Sequence, residues 1–319
     1  MKNKLTRKLM LSAFTLLFAV ISLGASTYAW FTMSDSAKIN AFNANVKAGQ
    51  GIEIAVTSTK DFGEAQWYVG EVPAGVIQDV AVADDFEFDA VTINNQGYNE
   101  VTFKDLNNAA KTGGYISFFV HVKAAQKGSV SIDDITLETT NDNKWDATVP
   151  FTTAANNGLS LKVNDPVLFK VEDAARIAFI MDGGENTDPI QIYEKDAEDA
   201  VEADQYAGNS EGFPTTAGAY KYYDAINPES KLNPANIAKY STSKINATLG
   251  DTTDGEGKVT KKSTELFDIN LYEDDSDVVT FQVLVWIEGW DGECLNAIFA
   301  QNLSVTLEFL FTKDETVTE

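Results

Sequence analysis

Apolar and polar residues alternate in short runs along most of this chain. Within 38–46, Phe42, Ala44 and Val46 share one face, and Ile52, Ile54 and Val56 resume the alternation beyond Gly49-Gln50-Gly51. That pattern predicts two strands joined by a hairpin-like turn. Further short strands are expected at 66–72, 76–82 and 86–93, separated by Gly, Pro or paired Asp. The run 115–123, introduced by Gly113-Gly114, is rich in aromatic and β-branched residues. Lys127-Gly128 then turns the chain into 129–137, where Val130, Ile132 and Ile135 predict a strand with an irregularity at Asp133-Asp134. After a polar stretch at 139–157, strands are expected at 159–163, 175–181 and 189–193. Sheet character returns at 265–271 and peaks at 278–290, with Val279, Phe281, Val283, Val285 and Ile287 facing one way. The last run, 303–311, is so apolar that a central strand paired on both edges is expected. Strands recurring about every 8–12 residues predict an all-β fold, a jelly-roll-like two-sheet sandwich.

One region breaks the pattern. Residues 194–205 are charged and alanine-rich and suit a short helix; the chain is then rich in Gly, Pro, Asn, Thr and Tyr as far as 263. A connection of that length inside a compact domain is read as a loop- and helix-rich insertion, 194–263, at one end of the sandwich.

The N-terminus carries a different signal. Lys2, Lys4, Arg7 and Lys8 precede an uncharged run from 9 to 33, whose apolar centre is 9–23. A basic tip and an apolar core shorter than the roughly 20 residues of a membrane span form an export signal, helical in its core. Small residues follow, and Thr27-Tyr28-Ala29 is a small-x-small site. A signal peptidase is therefore expected to cut between Ala29 and Trp30, with a cut after Thr27 as the alternative. The chain then divides into a signal peptide (1–29), an N-terminal strand segment (30–46) and one domain (47–319). The competing reading keeps 9–33 as an uncleaved anchor with its basic end inside. No cysteine follows the apolar run to take a lipid, and 311–319 holds neither an apolar tail nor a wall-sorting pentapeptide. A cut protein is thus expected to stay at a cell surface through assembly or binding.

Charge narrows the partners. With 24 basic and 48 acidic residues the formal charge is −24, and loss of the four basic residues of the tip leaves 20 against 48, or −28. Such a field repels nucleic acid, so no nucleic-acid partner is expected. A hydrophobic fraction of 44% marks a globular rather than a disordered chain. The single cysteine, Cys294, rules out an intrachain disulfide.

Candidate chemistry is sparse. His121 is the only histidine, so any histidine-based triad or zinc site would have to use it, and no HExxH helix is present. Its neighbours in alternation, Phe119 and Lys123, suggest a half-exposed strand residue without a catalytic role. Cys294 follows the strongest strand with no basic residue beside it and reads as a buried, unreactive thiol. Acidic clusters recur at Asp84-Asp85, Asp133-Asp134, 182–188, 251–256 and 273–277, none with the spacing of a twelve-residue calcium loop. They read as solvated surface, with weak calcium binding as the alternative; no cofactor is expected. No carboxylate pair can be nominated for glycoside hydrolysis. Tyr206, Phe213, Tyr220, Tyr222 and Tyr223 within the insertion suit a small local core. The alternative is a surface adhesin or carbohydrate-binding module in which they stack on a polysaccharide.

Ser26-Thr27-Tyr28-Ala29-Trp30-Phe31 resembles the signals processed by SipW-type signal peptidases on TasA- and camelysin-like secreted proteins of Firmicutes and their wall-less relatives. Tyr115-Ile116-Ser117-Phe118-Phe119, 174–179, Ile192-Tyr193-Glu194 and 285–294 are also similar to runs in that family. The resemblance implies a jelly roll and a non-enzymatic structural role in extracellular fibres of a biofilm matrix or cell surface. It further implies that the new N-terminal segment adds as a strand to the next subunit. The apolar positions of that assembly strand would be Trp30, Phe31, Met33, Ile39, Phe42 and Val46. The metalloprotease activity assigned to camelysin does not carry over, because the histidines are missing.

Overall fold

The computed structural model describes residues 42–82, 86–94, 102–105, 109–140, 145–152, 160–167, 170–181, 190–195, 225–226, 247–249, 264–269, 278–289, 294, 298 and 301–314. The chain separates into two units, Met1–Ala37 and Lys38–Glu319, and every described residue lies in the second. The expected signal helix and most of the insertion therefore lie outside the described residues.

The described chain is all-β with two short helices. Its strands are β1 (Phe42–Lys47), β2 (Ile52–Thr57), β3 (Glu71–Val72), β4 (Ala90–Asn94), β5 (Thr102–Lys104), β6 (Ala110–Lys111), β7 (Ile116–Ala124) and β8 (Gly128–Thr139). Two small ladders follow, β9 (Trp145–Asp146) with β12 (Pro166–Val167) and β10 (Phe151–Thr152) with β11 (Ser160–Leu161). Then come β13 (Ala175–Met181), β14 (Ile190–Lys195), β15 (Ala247–Leu249), β16 (Thr264–Ile269), β17 (Val279–Glu288) and β18 (Leu303–Lys313). The helices are α1 (Ala74–Ala81) and α2 (Val171–Ala174).

Two sheets enclose one core. The first runs β16-β8-β18-β1-β3, antiparallel except for the parallel pair β1 and β18. In the second, β2-β7-β17-β13-β14 is antiparallel, with β15 parallel to β14 at its edge. The end of β17 also pairs in parallel with β4, which carries β5 and β6. Phe309 of the first sheet meets Phe179 and Phe281 of the second, with ring centroids 6.4 and 5.6 Å away. Those distances place the three rings in the edge-to-face range that favours aromatic pairs.

The outer faces differ. On β18, Leu303, Val305, Leu307 and Phe309 point into the core while the residues between them are partly exposed, as an open antiparallel sheet requires. β17 is buried on both faces: Phe281, Val283, Val285 and Ile287 join the shared core, and Leu284 and Trp286 join a second cluster with Val91, Phe103, Ala178 and Ile192. β8 carries an irregularity where Glu308 pairs with Asp134 and Phe309 with Ile132, so Asp133 is the extra residue.

Three expectations are corrected. Residues 76–82 are not a strand: α1 occupies 74–81 and packs against β1 and β2. Val76, Ile77, Val80 and Ala81 form a helical stripe with Ile77 fully buried, and Pro73 opens the helix where its missing N–H costs nothing. The stretch between β1 and β2 is not a hairpin, because the two strands belong to different sheets. Gly49 and Gly51 let the chain cross over: a Cβ on Gly49 would lie 2.7 Å from the Phe309 carbonyl oxygen, and Gly51 has φ +97°. Glu194 and Lys195 end β14 instead of beginning a helix, and Ala247–Leu249 within the insertion adds a strand beside them.

Candidate functional site

The N-terminal strand gives the first candidate. β1 pairs with β18 over six residues, from Phe42 opposite Leu303 to Lys47 opposite Glu308. Val46 is fully buried and Ala44 nearly so, and both face the shared core with Val305 and Leu307. Among the described residues, the other edge of β1 pairs with β3 alone, at Val46 and Lys47. The Lys47 ammonium donates to the Glu308 carboxylate, and that hydrogen bond raises the lysine pKa. Both groups are partly exposed, so the pair supplies register more than stability, less than about 1 kcal/mol. Burial of Val46 and Ala44 holds the strand; the ion pair aligns it.

Of the residues expected to cut or assemble, Ala29, Trp30, Phe31, Met33 and Ile39 lie outside the described residues. Phe42 begins β1 and Val46 is part of the chain's own core. The arrangement can pair backbone with backbone; it holds no reacting group.

His121 gives the second candidate, and its expected half-exposure is corrected: the residue is completely buried. It lies on the face of β7 opposite the shared core, covered by the loop that follows β2, where the Phe62 ring sits 5.3 Å from the imidazole. The Thr57 hydroxyl donates to the Thr59 carbonyl at 2.6 Å, so towards His121 Nε2, 2.7 Å away, it must accept. Nε2 therefore carries the proton, and Nδ1 accepts from the Thr280 hydroxyl at 2.8 Å. Burial lowers the imidazole pKa to about 4, against a smaller opposing pull from Asp61. A neutral ring held between two threonines ties β7 to the end of β2 on one side and to β17 on the other. The same loop is pinned by Trp67, whose ring lies 4.2 Å from the Lys123 ammonium, itself 3.2 Å from Glu53. Phe62 and Trp67, set in a polar stretch, were the signal in the sequence that this loop packs onto the sheet.

The remaining expectations divide. Cys294 is buried against the shared core. Asp134 is buried beside the β8 irregularity, where the Thr136 hydroxyl lies 3.5 Å from its carboxylate. The clusters at 84–85, 182–188, 251–256 and 273–277, and the tyrosines and Phe213 of the insertion, lie outside the described residues. Among the described residues, no group of three or more His, Cys, Asp or Glu is placed to hold a metal ion. No described helix is long and apolar enough to cross a membrane.

No protein-family model, curated protein or solved structure matches this chain. The functional reading therefore rests on its own residues.

Proposed function

We propose that this chain is a secreted, non-enzymatic structural subunit, similar to the TasA- and camelysin-like proteins, with a jelly-roll domain that assembles into extracellular fibres. The N-terminal export signal and the acidic, cysteine-poor composition support the compartment. The observation that carries the reading is β1. It holds Phe42–Lys47 in the domain's own sheet, so the arm we propose for reaching the next subunit is 30–41, which precedes that anchored strand.

Twelve extended residues reach at most about 40 Å, enough to lie along a neighbouring molecule. After cleavage at Ala29 the arm begins Trp30-Phe31-Thr32-Met33, and burying Phe31 or Met33 in a second subunit contributes roughly 1.5–3 kcal/mol each. Strand addition supplies backbone hydrogen bonds to an open sheet edge. Because each subunit gives an arm and receives one at a different surface, the contact does not close, and repetition yields a filament. Before cleavage the arm remains joined to the signal segment, so processing by the signal peptidase also times assembly. N-terminal sequencing of the exported protein tests the first step: Trp30 is expected at the new end, and Met1 would show a retained anchor.

A further inference from the structure

The outer edge of β2 is closed by its own chain. After Thr57 the chain leaves the sheet, runs through 58–67, and returns so that Tyr68 pairs with Ile54 on the side of β2 away from β7. The Ile54 N–H donates to the Tyr68 carbonyl at 2.9 Å, and the Tyr68 N–H to the Ile54 carbonyl at 2.8 Å. A loop laid over the edge of a sheet hides backbone groups that would otherwise be open to pairing.

The same loop roofs His121. Phe62 lies against the imidazole, and Trp67 stands edge-on to Phe62 with ring centroids 6.0 Å apart. Within the loop, the Ala65 N–H donates to the Phe62 carbonyl at 2.6 Å and the Gly63 N–H to the Asp61 carboxylate at 3.0 Å. Only Phe62, Ala65 and Trp67 of 58–67 are shielded from solvent, and these only by half. Three described elements therefore wall the imidazole, and they are not equally firm. β2 and β17 are held to β7 by ladders of six and seven residue pairs, whereas the loop rests on two rings and one strand bridge. The loop is the wall that gives way first.

A proton on His121 sets the walls against each other. A charged imidazole needs water that this space does not admit, and burial outweighs the opposing pull of Asp61 on the loop. The other charged side chains of these elements offer little relief. Glu53 of β2 is paired with Lys123 of β7, Lys60 and Glu64 are exposed on the loop, and β17 brings Thr280 and Gln282, which carry no charge. The proton also displaces the hydrogen that Thr280 donates to Nδ1. We propose that loop 58–67 is an acid-released strap, which closes the outer edge of β2 while His121 is neutral and lifts from the sheet when the imidazole is protonated, before the domain unfolds. Lifting admits water to the ring and leaves the Ile54 backbone groups open. The strap lies on the second sheet, away from residues 30–47, so it stands or falls independently of fibre formation.

Hydrogen exchange and proton NMR on the purified chain test it together. His121 is the only histidine, so its ring resonance reports the titration without ambiguity. Between pH 6 and pH 4, protection factors at Ile54 and Tyr68 are expected to fall about tenfold or more along that titration, while those across 281–287 of β17 hold. His121→Gln is expected to keep its loop protection over the same interval. Asp61→Asn, an exposed change that retains an acceptor for Gly63, is expected to move the midpoint to lower pH. Loop protection that is unchanged down to pH 4, is lost together with that of 281–287, or is lost equally in His121→Gln would each overturn the proposal, as would a midpoint unmoved in Asp61→Asn.

Discussion

Thr57 and His121 are joined by a 2.7 Å hydrogen bond in which the imidazole N–H donates to the hydroxyl, tying the end of β2 to the middle of β7. The companion contact, in which Thr280 donates to the second ring nitrogen, requires a neutral histidine. The folded-state pKa of about 4 lies below the ordinary 6.5, so between those values the unfolded chain binds more protons than the folded one. Stability from this residue is present in full above about pH 6.5 and is lost as pH falls towards 4, on the order of 2 kcal/mol once solvent at the covering loop is allowed for. Urea titrations at pH 7 and pH 4.5 check this. His121→Gln is expected to show a shallower fall over that interval than the natural chain, and an equal fall would contradict the assignment.

Val46 marks where β1 is held. Val46→Ala removes buried methyl groups opposite Leu307 and Val72 and is expected to cost about 2 kcal/mol in urea unfolding. Leu310→Ala, on the exposed side of the neighbouring strand, is expected to change stability by less than about 0.5 kcal/mol.

Close approach of β8 to β18 depends on Gly128. A Cβ there would collide with the Thr312 carbonyl oxygen and stand 2.7 Å from the Phe311 ring. Gly128→Ala is therefore expected to lower stability by about 2 kcal/mol or more, with hydrogen-exchange protection lost first at 311–313.

Cys294 tests the core from the opposite side. Its thiol is buried, so a thiol reagent is expected to react at least about tenfold more slowly with the folded chain than with the chain in urea. Equal rates would place the residue at the surface.

The strands that pack on both faces were legible from their residues alone. The expected 175–181 coincides with β13, and the irregularity foreseen at Asp133-Asp134 is where β8 changes register. The central place of β18 followed from its apolar face, because one-sided burial between two partners leaves that pattern. What escaped was non-local. Val76, Ile77 and Val80 favour strand by type, and the helical spacing among them was outweighed by their β-branched side chains. Gly49-Gln50-Gly51 turns the chain as a hairpin would, but which sheet receives the next strand depends on distant pairing with β7 and β18. His121 was expected to be half-exposed, and the loop carrying Phe62 makes its face of β7 an interior. Of the assembly segment, the described residues hold only β1, where burial of Ala44 and Val46 matched the alternation.

The central claim is that residues 30–41 carry one subunit to the next. Electron microscopy of chain 30–319 beside chain 42–319 tests it most directly, because the shorter form keeps β1 and with it the buried Val46. The account predicts filaments from 30–319 and only dispersed particles from 42–319, at matched melting temperature. Filaments of the same form from 42–319, or none from 30–319 across salt and pH, would contradict it.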